Sequence, residues 1–405
     1  MPESQPANGA QHPARVAIVA AGVISPLGLG LDETATSLRA GRDCVTLVER
    51  FSVEHCRCQT AGQIPDEHLD RHASGPRARR LHRAAKMMIA ALAEALAQAP
   101  GFAPELTIVG TTSGGMTFGE DYYRALHGHR TLRRAPSLIA NYTPQKPIVD
   151  AQEALGISAP CQVIANACAS GTNAIGHAFE CVRSGRYQRV LSGGYDALSE
   201  LVFVGFDSLQ AATADKCRPF DRGRTGMVLG EGAAVLALEN LAAAEARGAA
   251  ILGEVVGYGI STDNHHLTQP NPDGSGARQA MQRALNDARL SAGEIDYINA
   301  HGTATPFNDA AEGKAIAELF GRTPLSSTKG MMGHSLGAAG AIEAVISLLA
   351  LRDGLLPPNI NFREMDEAVD LDIVANLARP AAIQTALSNS FGFGGTNASI
   401  ILRHA

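Results

Sequence analysis

No stretch of this chain stays apolar for long enough to span a membrane. The longest candidate, Ala338 to Leu351, falls short of the ~20 residues a span needs and carries Glu343. The segment Met1 to Arg15 is polar, with proline and glycine but without the apolar centre of a secretory signal, so the cytosol is the expected compartment. Cysteine is scarce and irregularly spaced. Seven residues, an odd number, do not build a disulfide framework, and Cys56-Arg57-Cys58 lacks both the spacing and the partner pair of a zinc site. An excess of positive charge is missing too. A net charge of −6 argues against a dedicated nucleic-acid binder. What remains is 405 residues, 45% hydrophobic and 18% charged, ample for a large core and typical of a soluble globular enzyme.

Strand and helix patterns alternate along the chain. Strands are expected at Val16 to Ala20, Leu106 to Gly110, Cys161 to Ala165, Arg189 to Ser192 and Val228 to Leu238. A second series follows at Leu252 to Gly257, Tyr297 to Ala300, Ile373 to Asn376 (the weakest) and Ala398 to Leu402. A long helix is expected over Ala78 to Ala99, closed by Pro100-Gly101, and another over Leu241 to Ala250. This alternation predicts a layered α/β fold. The chain also reads as two related halves, residues 1–250 and 251–405. Cys168 to Ala174 lines up with His334 to Gly340, Gly230 to Leu238 with Gly394 to Leu402, and Glu105 to Thr112 with Ile295 to Gly302. Three pairings in one order predict a duplication that brings Cys168 and His334, each at a helix start, to one central site.

Cys168 carries the chemistry. It stands in Ile164-Ala165-Asn166-Ala167-Cys168-Ala169-Ser170-Gly171, between a strand-like run and a helix-like run from Thr172 to Val182. Unpaired N–H groups and the dipole at a helix start favour the thiolate, so a lowered thiol pKa is expected. The small neighbours leave room for a substrate carbonyl. Three later segments complete the set: Asn299 to Pro306, with His301 directly after a strand; Ser327 to His334, with Lys329; and Asn389 to Asn397, a glycine-rich stretch expected to be a flexible turn. Most of the 13 histidines have no such setting, and the adjacent pair His265-His266 lacks metal-ligand spacing.

Together these residues resemble the β-ketoacyl-acyl-carrier-protein synthases of the thiolase superfamily, closest to the synthase I/II branch, from about Val16 to Leu402. The resemblance implies a thiolase-like α-β-α-β-α layered fold of two pseudo-duplicated halves, the first carrying the nucleophile and the second the two histidines. Thiolases have a second catalytic cysteine, which the stretch Phe391 to Asn397 lacks; initiating synthases have asparagine where His334 stands; chain-length factors lack the nucleophile. The implied reaction joins an acyl group held on Cys168 to malonyl carrier protein with loss of CO₂. His301 and His334 would hydrogen-bond the malonyl thioester oxygen, and the backbone N–H groups of Cys168 and Phe393 would hold the oxyanion formed on the acyl group. The resemblance pairs Lys329 with Glu312, which supports the site, and makes Phe391 and Phe393 a mobile gate. It places Thr303, Thr305, Ser113 and Gly394 along the substrate path. It implies no metal or organic cofactor, an acyl carrier protein as partner, and a dimer, either of two copies or with a chain-length factor.

The basic run from Arg77 to Lys86 holds Arg79 and Arg80 at the carrier-docking positions of the family, where complementary charge would speed and orient an acidic carrier. Two departures bear on substrate. The short segment Ala212 to Cys217 looks more like ketosynthases of dissociated polyketide and aryl-polyene systems. Ser113 replaces a bulkier apolar residue of synthase II, which predicts a wider acyl tunnel and a long, rigid or unsaturated chain. A catalytic subunit completed by a chain-length factor and a non-condensing acyltransferase on the same fold stand as alternatives.

Overall fold

The computed structural model describes residues 13–73, 78–128, 135–366 and 370–405; for Arg79 and Ala135 only the backbone is described. The main strands are β1 (Val16–Ser25), β2 (Leu106–Gly110), β3 (Cys161–Ile164), β4 (Arg189–Asp196), β5 (Gly232–Asn240), β6 (Gly253–Thr262), β7 (Tyr297–Asn299), β8 (Leu325–Ser326), β9 (Thr385–Gly392) and β10 (Thr396–His404). They lie in one sheet in the order β3-β2-β4-β5-β1-β6-β10-β9-β7-β8, and Gly28–Leu29 pairs back on β1. Counted within each half, both arms read third, second, fourth, fifth, first from the edge inward. In both, the second strand pairs parallel with the third and fourth, and the fifth pairs antiparallel with its neighbours. The arms join through β1 and β6, with Ala17 opposite Glu254. The pairings read from sequence occupy matching places: Cys168 follows the third strand of its half and His334 the third of the other.

The helices that position the site are α1 (Arg83–Gln98), α2 (Met116–His127), α3 (Ser170–Arg183), α4 (Glu200–Ser208), α5 (Ser275–Ala288), α6 (Pro306–Phe320) and α7 (Ala339–Asp353). α1 covers β1 and β5, α5 covers β6 and β10, and α3 and α7 lie between, each touching strands of both arms. This is the layered α-β-α-β-α arrangement. The composition of α7 explains its place. A helix apolar all round has no face for water, and every residue from Ala339 to Leu351 is buried. The run too short for a membrane is thus the centre of the protein, and among the described residues no helix is long and apolar enough to cross one. Small residues let α3 and α7 meet. A Cβ on Gly340 would fall 2.0 Å from Thr172 Oγ1, which hydrogen-bonds Ser390 Oγ at 2.7 Å.

Local expectations fail in four places. The helix expected from Ala78 is a 3₁₀ turn (Ala78–Arg80) and then α1, because His82 leaves the helical path and its Nδ1 caps Ala84 N–H at 3.1 Å. The strand expected over Val228 to Leu238 breaks at Glu231, whose buried carboxylate accepts the N–H groups of Ile64 and Leu198 and turns Leu229–Gly230 into a separate sheet. Ile373 to Asn376 forms only isolated bridges, Ile373 to Leu325 and Ala375 to Asn359. The stretch expected to be a turn from Asn389 is strand as far as Gly392, paired with β10, so the turn itself is short.

Candidate active site

Cys168 sits where β3 hands over to α3. The chain reverses at Ala167, held at φ 57°, and Ser170 locks the turn: its Oγ donates to Ala167 O at 2.6 Å and accepts from Asn166 N at 2.9 Å. The β9–β10 hairpin closes over the turn from the other half. Thr396 Oγ1 donates to Asn166 O at 3.1 Å, and a Cβ on Gly392 would come within 3.2 Å of Cys168 N. The expected fall in thiol pKa does not occur in this state. Burial pushes the Cys168 thiol up to about 11, while the Lys329 charge and the backbone N–H of Phe393 pull it down by less. Desolvation of a buried sulfur outweighs what a helix start supplies.

His301 follows β7, and His334 follows the short helix Lys329–Met332. Their rings meet edge to face with centroids 5.3 Å apart, and Phe391 lies 5.8 Å from His301. The backbone of His334 is clamped by the other half: its N–H donates to Val228 O at 2.7 Å, and Gly230 N–H donates to its carbonyl at 2.8 Å. Burial, reinforced by the Lys329 charge, holds both imidazoles well below their ordinary pKa. Both rings are therefore neutral at physiological pH, with one N–H to donate each. His301 Nδ1 and both ring nitrogens of His334 have no hydrogen-bond partner among the described residues. A cavity of about 360 Å³ joins Cys168, His301, His334, Phe391 and Phe393, with Thr303 and Thr305 on its wall.

Lys329 does not pair with Glu312. Its ammonium lies on Glu343 of α7 and donates to His301 O at 2.6 Å, all three residues being buried. Glu312 instead accepts the N–H groups of His301 and Gly302 at 2.8 Å each, and the Asn389 side chain at 3.1 Å. The short helix after β8 turns Lys329 inward to the central layer, while α6 runs behind the His301 loop and offers Glu312 to its backbone. Burial raises both carboxyls to about 7. Removing one partner of a buried pair strands the other charge. Glu343→Ala is expected to lower unfolding free energy by about 3–5 kcal/mol, read from urea denaturation, whereas Glu343→Gln should lose less.

Three further expectations change. Ser113 does not line this cavity; its Oγ donates to Asp196 Oδ1 at 2.7 Å. Gly394 is exposed, and Gly395 lines the cavity in its place, while Gly394 N–H donates to Leu267 O at 2.7 Å. Arg83 is not part of a solvated basic face; it is buried, with bonds of 2.8 and 2.7 Å to Glu231 and an ion pair to Asp66. Arg80 is exposed on the 3₁₀ turn, and the side chain of Arg79 lies outside the described residues.

Sequence reasoning missed Asp196, which ties Thr111, Thr112 and Ser113 to Gly337 N at the start of the central layer. Its only signal is an acid closing a Gly-Gly-containing strand. It also missed Phe206, stacked on Phe393 at 5.5 Å.

Comparison with known proteins agrees with this geometry. The N-terminal-domain model of the β-ketoacyl synthases matches residues 14–244 and the C-terminal-domain model residues 252–363. The chain is 36% identical to 3-oxoacyl-[acyl-carrier-protein] synthase 2 of Staphylococcus aureus and to that of a Synechocystis species, in each case over 96% of this chain and 98% of the relative. Among solved structures, the ishigamide ketosynthase/chain length factor is 35% identical with a TM-score of 0.91, covering 97% of this chain and 100% of that one. The ketosynthase ApeO in complex with its chain length factor ApeC from Xenorhabdus doucetiae is 29% identical with a TM-score of 0.80, covering 97% and 98%. The chain belongs to the β-ketoacyl synthase family.

Proposed function

We propose that the protein lengthens carrier-bound acyl chains by decarboxylative condensation. One observation carries this reading: two neutral histidines with unpartnered ring nitrogens share a cavity with a buried cysteine at a strand-to-helix turn. Cys168 attacks the carrier thioester; its C–S bond forms, the carrier thiol leaves and takes up the cysteine proton. Malonyl carrier protein then enters, and its C–CO₂ bond breaks as the electron pair moves into the thioester. One N–H from each of His301 and His334 meets the charge developing on that oxygen, in a site where desolvation strengthens both bonds. The new carbanion attacks the acyl carbonyl, the C–S bond to Cys168 breaks, and the sulfur regains a proton. The Phe393 N–H directed at Cys168, with that of Cys168 itself, suits the oxyanion formed there. Lys329 holds the His301 carbonyl and Glu312 its N–H, so both orient the ring. In this reading residues 1–250 supply the nucleophile and 251–405 the histidines. Seven unpaired cysteines suit the reducing cytosol.

Intact-mass analysis tests the reading. An acyl adduct should form from acyl carrier protein, and adding malonyl carrier protein should yield a product two carbons longer. An adduct that forms but never extends would favour the non-condensing transferase. Docking has its own test. Reversing Arg79 and Arg80 to Glu should raise KM for carrier-bound acyl groups several-fold and spare a small thioester; equal losses on both would sink it.

A partner subunit fits a second cavity, of about 620 Å³, between α2, Ala135–Asn141 and α4, where Tyr123 and Leu201 are 61% and 60% exposed. An apolar face of that kind needs cover. The chain length factors in the solved ishigamide and ApeO assemblies make a sequence-related partner one candidate, and a second copy of this chain the other.

A further inference from the structure

Among the described residues, nothing anchors the His334 side chain by a hydrogen bond. Both ring nitrogens lack partners, and the two backbone bonds go to one segment: the N–H donates to Val228 O, and the carbonyl accepts from Gly230 N–H. His301 differs, with Glu312 on its N–H and Lys329 on its carbonyl. The angle at which the His334 ring enters the cavity therefore depends on where the segment Val228 to Gly230 lies. The contact is close. A Cβ on Gly230 would fall 2.5 Å from Met332 O, and one on Gly62, in the neighbouring strand Thr60–Gly62, only 1.8 Å from the same oxygen. With no slack between these strands and the turn that ends in His334, a shift in one is passed to the other.

What holds the strands is a buried ion pair. Glu231 directly follows Leu229–Gly230, and its carboxylate takes the Arg83 guanidinium in a two-pronged grip, Nε at 2.8 Å and Nη2 at 2.7 Å. Ile64, two residues past the neighbouring strand, is held by both members. Its N–H donates to Glu231 Oε1 at 3.0 Å, and its carbonyl accepts from Arg83. One pair thus pins both strands at the same end. The Cys168 turn has separate supports in Ser170 and Thr396. On the condensing reading above, we propose that the Arg83–Glu231 pair positions the His334 ring for malonyl decarboxylation, acting through Leu229–Gly230 without touching the substrate.

Two half-reactions separate positioning from general support: acylation of Cys168 by acyl carrier protein, and CO₂ release from malonyl carrier protein by the acyl-enzyme. Glu231→Gln keeps an acceptor for Ile64 and Leu198 but loosens the grip on Arg83. It should lower kcat for CO₂ release about tenfold, because small displacements of an oriented group are costly, while KM and acylation change little. Arg83→Lys keeps the charge without the fork and should lose about threefold. The paired change of Arg83→Met with Glu231→Gln strands no buried charge, so it keeps the test open where the single variant does not fold. It should show the same split. In a His334→Ala background, Glu231→Gln should cost nothing further; a second tenfold loss there would overturn the proposal. Equal losses in both half-reactions would overturn it by making the pair a support for the whole fold, and so would unchanged CO₂ release in a folded variant. All three results leave the condensing reading intact. A wild-type acyl-enzyme that releases no CO₂ from malonyl carrier protein would bring down both.

Discussion

Cys168→Ala is expected to leave the fold intact and to abolish acyl transfer. The side chain is buried against the β9–β10 hairpin, and the substitution removes one sulfur without adding bulk or an unpaired charge. Chemistry has no substitute for it: removing a nucleophile costs on the order of 10³-fold or more, and no acyl adduct should be seen by mass. The raised thiol adds a pH signature. With a pKa of about 11, the thiolate fraction grows about tenfold for each pH unit between 7 and 10. The rate of single-turnover acylation should climb with that slope in the wild type. A plateau below pH 8 would mean that donor binding or the α3 N-terminus lowers the thiol, and retention of the adduct in Cys168→Ala would remove the residue from the reaction.

His301→Ala and His334→Ala should each cut elongation by about 10²–10³-fold while the acyl-enzyme still forms. The reason lies in their state. Both rings are buried, neutral and without partners among the described residues for the nitrogens named above, so in the proposed reaction each would contribute an N–H aimed at charge that exists only once CO₂ departs. His334→Asn keeps a donor and should lose less than His334→Ala. Because both pKa values are pushed far below 6.5, malonyl decarboxylation in the wild type should be flat from pH 6 to 8. The measurement is CO₂ release from malonyl carrier protein beside adduct formation on Cys168. Equal loss of both steps in either variant would move the histidines into the acylation half-reaction.

Much of the site was legible because its signals are local. Cys168 and His301 each follow a strand-like run, His334 opens a glycine-rich helical run, and the alternation of runs already predicts layers. The duplication was legible too, since Cys168 and His334 occupy the same place in a repeated order of strands. Partners were not. Lys329 was expected on Glu312 and lies on Glu343, and nothing in the order of residues says which helix faces it. Arg83 looked like one more charge on a basic run until its guanidinium was found inside, on Glu231. Nor does the sequence show that Ser113 is held by the Asp196 carboxylate, far away in the chain.

The sequence by itself singled out Cys168, His301 and His334 and determined the α/β layering, because turn chemistry and periodicity act over a few residues. Only the tertiary structure decided which carboxylate neutralises Lys329, that burial raises the Cys168 thiol, and that Arg83 and Glu231 stand behind the strand that clamps His334. Ion pairing and desolvation depend on what the whole fold brings alongside a group, and those neighbours come from the other half of the chain.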